Sequence, residues 1–325
     1  MIMKKLMVTI SILAAGILVL SETGCGVSGP VVSIKFPFYF LQDISTTGIP
    51  YNCCYLKEGG DGLVSTDSLY FVDYENGYCL ARVGFQGYTI EDVGATSEGG
   101  YALVLCGNFL FYVSNGTYVV HNPVALASCG RFILTDPSGN WHLYSVGADG
   151  TITTVNSQSW DVTSVDSVSG LHDPVAAAIS SDGTAIFIAD AYDNTVRKVS
   201  TGNLGVVTAE CEVPGGINDL YAGPGNLVYA APDSLSAIWG IDTGTGQHYS
   251  TYPISSPAIS VAVTPDDHYL YVAYKSSGIS VINTENNDVE ASSSSYGTVY
   301  DIGINGNGKR ALVCSNFSKI ISLEK

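Results

Sequence analysis

Basic residues are scarce in this chain: 13 Lys and Arg stand against 30 Asp and Glu in 325 residues, a formal net charge of −17. No Lys/Arg cluster offsets that field. It repels phosphate backbones and anionic headgroups, which sets nucleic acid aside as a partner and leaves cationic ligands or Ca²⁺ compatible. Charged residues of both signs make up only 13%, too few for the Glu-, Lys- and Arg-rich runs of long solvated helices. Catalytic signatures are missing too, with no Gly-x-Ser-x-Gly elbow, Walker loop or His-Glu-x-x-His pattern. The eight cysteines show neither Cys-x-x-Cys metal spacing nor the density of a disulfide scaffold. What is abundant is Gly (36), Tyr (21) and small polar residues, a mixture that suits short strands and tight turns.

The N-terminus reads as an export signal. Met3-Lys4-Lys5 is a basic start, and residues 6–20 are unbroken apolar and small residues, a signal-peptide core that falls short of a comfortable membrane span. The run ends at Ser21-Glu22-Thr23-Gly24-Cys25, which resembles a bacterial lipoprotein cleavage box. That resemblance implies lipidation at Cys25 and membrane contact only through the anchor. Glu22 stands where an aliphatic residue is usual, so ordinary cleavage after Ser21 stays open, with a periplasmic or secreted product. The expected organisation is a signal peptide at 1–24, an anchor linker and closing strand at 25–48, and one repeat domain at 49–325.

A period of about 42 residues decides the fold class. In the clearest copy, Asp173-Pro174-Val175 opens a strand, Ser181-Asp182-Gly183 turns it, a second strand ends at Asp190, and Asp193-Asn194 turns into a third. Residues 256–282 repeat the order, with Ile188 and Val272 in the same place two periods apart. Further copies run over 216–231 and 298–314, and looser ones over 50–83, 89–120 and 124–155. The pattern is alternating apolar residues between turn residues, the mark of hairpins. A three- or four-stranded sheet of this size cannot bury both faces alone, whereas stacking such sheets around an axis does so and leaves short edges. The expectation is an all-β, seven-bladed β-propeller, with six or eight blades as alternatives. The last copy has three strands, and residues 31–36 are the candidate for its fourth.

Two segments carry a family resemblance. Ile188-Ala-Asp-Ala-Tyr-Asp-Asn-Thr-Val-Arg-Lys-Val199 resembles an NHL-type repeat, and Leu270-Tyr-Val-Ala-Tyr-Lys-Ser-Ser-Gly-Ile-Ser-Val-Ile-Asn283 resembles the YVTN-type repeat of bacterial and archaeal surface propellers. The likeness covers residues 170–325 well and 50–170 loosely. It implies the fold and says little of function, because such propellers include lactone hydrolases, lyases, binding modules and surface proteins.

Two groups of residues could carry chemistry. Aligned inner strands expose a column holding Asp92, Ala177, Asp219, Ser260 and Asp301. Its three aspartates could bind Ca²⁺ or a cationic ligand around the axis, or simply accept backbone N–H groups from a neighbouring blade. The second group is a repeated pentapeptide, His121-Asn122-Pro123-Val124-Ala125 and His172-Asp173-Pro174-Val175-Ala176. If both open inner strands of adjacent blades, the two imidazoles could share a metal or a substrate oxygen beside Asp173 or Asp301. Turn chemistry around the prolines explains the same likeness without function. Cys106 and Cys314 end central strands and read as small buried side chains.

Three functions follow as expectations. The first is an envelope-anchored binding module for a partner protein, surface polymer or small ligand. The second is a lactonase-like hydrolase using His121, His172 and channel carboxylates. The third is a structural surface-layer component.

Overall fold

A computed structural model of the chain describes residues 11–13, 17–19, 39–45 and 50–324, apart from 57–60, 74, 75, 77, 225, 277, 307, 309, 317 and 318. The described residues are all-β, with no helix among them, and build a β-propeller. Seven sheets have four antiparallel strands each, besides a separate hairpin pairing Ser11–Leu13 with Ile17–Val19. The seven innermost strands are Asn52–Tyr55, Asp92–Ala95, Gly130–Thr135, Pro174–Ile179, Asp219–Ala222, Ala258–Val263 and Val299–Ile304. Blades are numbered one to seven below in that order.

Burial follows from the stacking of sheets. The second strand of the fourth blade, Ala185–Asp190, is buried at every position, because a neighbouring blade covers each face. The outermost strand of the third blade, Val162–Ser167, is mostly exposed, as befits an edge facing water. Each contact between neighbouring blades holds its own apolar cluster, such as Phe187, Ala189, Val228 and Ala230 between the fourth and fifth. The last and first blades share one as well, made of Val64, Tyr70 and Val72 with Leu312 and Cys314.

The last sheet joins both ends of the chain. Its order is Val299–Ile304, Arg310–Ser315, Lys319–Glu324 and Tyr39–Ser45, with Phe40 opposite Leu323 and Ile44 opposite Ile320. The N-terminal strand is therefore not the segment 31–36 named from the sequence, which lies outside the described residues. Pro37 separates the two segments, and a proline lacks the N–H that a continuous ladder needs. The lipidation box at Cys25 and nearly all of the signal segment 1–24 also lie outside the described residues.

Candidate functional site

One position recurs on every inner strand, four residues before the turn: Asn52, Asp92, Phe132, Ala176, Asp219, Ser260 and Asp301. All seven line a single axial cavity of about 260 Å³. The fourth blade contributes Ala176 to the column, not Ala177. A bulge after Pro174 sets Ala176 opposite Ala189, as Ser260 lies opposite Ala273 and Asp301 opposite Cys314. The Ser260 and Asp301 strands carry the same bulge, and Ala176 stands four residues before Ser180 as Ser260 does before Thr264 and Asp301 before Asn305.

The three aspartates do one structural job. The Asp92 carboxyl accepts the N–H of Val93 on its own strand (2.8 Å) and of Ile133 on the next blade (2.9 Å). Asp219 does the same for Leu220 (2.8 Å) and Val261 (2.9 Å). Asp301 accepts Ile302 (2.8 Å), then reaches from the last blade to the first for the N–H of Cys53 (2.7 Å), and also takes the Ser260 hydroxyl (3.2 Å). Each carboxyl thus staples two inner strands that no sheet ladder joins. Among the described residues, no three His, Cys, Asp or Glu side chains are grouped as metal ligands would be.

These carboxyls border the cavity yet sit deep among seven strands, and burial dominates their acidity. Burial lifts Asp92 to about 7, against the pull of its two N–H donors, and the Asp301 and Asp219 charges add to the rise. Asp219 is likewise pushed to about 7, first by burial and then by Asp301. Asp301 is raised by burial against its hydrogen bonds. A carboxyl with a raised folded pKa keeps a proton that the unfolded chain has already released. Its contribution to stability is therefore full below the unfolded pKa and is lost as pH rises through about 7. The urea midpoint should thus fall between pH 5.5 and pH 8. A midpoint that is flat or rises over that window would contradict the burial argument.

Sequence reading missed the other polar groups at this mouth. Glu91 is exposed and lines the cavity beside Asp92, and Asn52 donates its amide to the Glu91 carbonyl at 3.0 Å. Arg131 also lines the cavity, but its guanidinium is held by Asp173 (2.9 Å) and the Pro174 carbonyl (2.7 Å). Counting back four residues from each turn would have found Asn52. Nothing local marks Arg131, because its partner lies 42 residues away.

The histidines do not meet. Val124–Ala125, after His121, is the outermost strand of the second blade, whereas Pro174–Ile179, after His172, is the innermost strand of the fourth. The two pentapeptides are therefore opposite edges of non-adjacent sheets, and the shared active site expected for adjacent entrances is not formed. His121 bonds the Ser114 hydroxyl through Nε2 at 2.6 Å and stacks on Tyr112, whose ring stacks in turn on Trp160. His172 lies against Tyr192. Asp173 is the ion-pair partner of Arg131. Each of the three has a packing or pairing role in view.

Compared with known proteins, the chain matches no family model and no curated sequence.

Proposed function

We propose that the protein is a non-catalytic binding module that takes a small organic cation at the acidic mouth of the axial cavity. The observation carrying this reading is that four acidic residues, Glu91, Asp92, Asp219 and Asp301, line one cavity of about 260 Å³. Its one lining cation, Arg131, is already neutralised by Asp173. Tyr300 lines the same mouth and packs against the exposed Tyr51 at 5.7 Å, adding an aromatic wall of the kind that attracts ammonium groups. The hydrolase reading has lost its histidine pair, and no observation favours the surface-layer reading over this one.

Calorimetry with primary and quaternary amines against matched carboxylic acids tests the proposal. Amines should bind and acids should not. Affinity should rise from pH 6 to pH 8, as protons leave Asp92 and Asp219. Glu91→Gln, which keeps the backbone carbonyl that Asn52 bonds, should weaken an amine by about tenfold, roughly 1.4 kcal/mol. Absence of amine binding, or equal binding of acids, would sink the reading.

On the segments around Ile188 and Leu270, we further place the repeats with the NHL and YVTN types. We place the mature protein at the cell envelope, held by lipid at Cys25. Radiolabelled palmitate should enter the wild type and not Cys25→Ser, which should be released in soluble form. Labelling of the variant would remove the anchor.

A further inference from the structure

We propose that Cys53 and Cys314 form a disulfide that locks the first blade to the last. Cys53 sits on the innermost strand of the first blade and Cys314 on the second strand of the last, at opposite ends of the sequence. The Cys53 thiol donates to the Leu312 carbonyl at 3.5 Å, two residues from Cys314 on the same strand. Both side chains are buried in the one apolar cluster that these two blades share. The backbone around them is pinned, because the Cys53 N–H is held by Asp301, and Asp301 faces Cys314 in the strand register. Two thiols in one buried cluster, on backbones linked through a single carboxyl, are the neighbours from which a disulfide can be drawn.

The other cysteines lack that arrangement. Cys79 and Cys129 are exposed, while Cys106 and Cys211 lie in clusters of other blade pairs. Cys54 is next to Cys53 in sequence but packs toward the second blade.

The bond forms by thiol–disulfide exchange. One thiolate attacks the disulfide of an oxidant, either a disulfide oxidoreductase or oxidised glutathione, and expels one thiol of that oxidant. The second cysteine thiolate then attacks the mixed disulfide and expels the other thiol. Two electrons and two protons leave the cysteines, and the oxidant carries them away as two thiols. Burial raises both thiols above the ordinary cysteine range, so the closed propeller offers little thiolate. The first exchange accordingly belongs to folding, and the second attack follows as docking of the last blade brings the two cysteines together. A crosslink between the first and last blades closes a loop over most of the chain, and the constraint on the unfolded chain grows with loop length.

Formation in the cell rests on the export reading, because the exported compartment supplies the oxidant. The pairing itself does not. The test uses the full chain made in an exporting host, and the same chain made in a reducing cytosol and refolded with oxidised and reduced glutathione. Each is denatured with alkylating reagent and no reductant, then peptide-mapped. Both should yield one crosslinked peptide pair joining Cys53 to Cys314, which separates on reduction. Reduction should also lower the thermal midpoint of the wild type while leaving that of Cys53→Ser/Cys314→Ser unmoved. A link in the refolded protein but not in the exported one keeps the pairing and overturns the export reading. Complete alkylation of Cys53 and Cys314 in both samples overturns the pairing, as does a bond through Cys54 that survives Cys53→Ser.

Discussion

Arg197→Ala should destabilise the propeller by about 3–5 kcal/mol, the range for removing one partner of a buried ion pair. The Arg197 side chain is only 7% exposed and faces three carboxylates. It donates to Asp190 at 3.0 Å and to Glu210 at 3.1 Å, and pairs with Asp193 on the same turn. Asp190 is fully buried and also accepts the N–H groups of His172 (2.9 Å), Asp173 (2.9 Å) and Tyr192 (3.0 Å). One guanidinium therefore ties together the entrance of the inner strand and the three strands outside it. Burial works against the Asp193 charge, yet its bonds to Arg197 and Thr195 hold the carboxyl below the usual range. Removing Arg197 leaves the buried Asp190 carboxyl with its N–H donors but without the guanidinium. Arg197→Lys keeps the charge and loses the fork that reaches three acceptors at once, so it should recover only part of the loss. Urea unfolding at neutral pH reads both variants. A cost below about 1 kcal/mol would show that the cluster behaves as a surface ion pair.

Asp301→Ala should cost about 3 kcal/mol, more than Asp92→Ala. Removal of an acceptor costs about 1–3 kcal/mol for each buried donor left without a partner. Asp92 serves two donors, whereas Asp301 serves three, from the backbone of Ile302 and Cys53 and the side chain of Ser260. Asp301 also acts where the last blade meets the first, so its loss should loosen that contact before any other. Under reducing conditions, Cys53 should then alkylate faster in Asp301→Ala than in the wild type, while buried Cys106 keeps its wild-type rate. Equal rates at both cysteines in the variant would mean that the carboxyl supports the ring as a whole rather than this contact. Asp301→Asn should fall between the two, because its amide can accept one backbone N–H but sets its own N–H₂ against the other.

The all-β repeat was legible in the sequence because strand alternation and turn chemistry are local properties. Asp182-Gly183 and Asp266-Asp267 mark their turns without help from the rest of the chain. Asp92, Asp219 and Asp301 were legible for the same reason, since each stands a fixed distance before its turn. Tertiary structure decided what those aspartates hold, because the N–H groups they accept belong to other blades. Through strand pairing it set the fourth blade's member of that column at Ala176 rather than Ala177, opposite Ala189. It separated His121 from His172, although their pentapeptides nearly coincide, because the same five residues can open an outermost or an innermost strand. It also brought Arg131 to Asp173 and Cys53 to Cys314. Composition and period are properties of a segment, and so the sequence alone determined the kind of sheet and its repetition. Contact between distant segments exists only once the sheets have stacked, and every group that could bind a ligand or close the ring depends on that stacking.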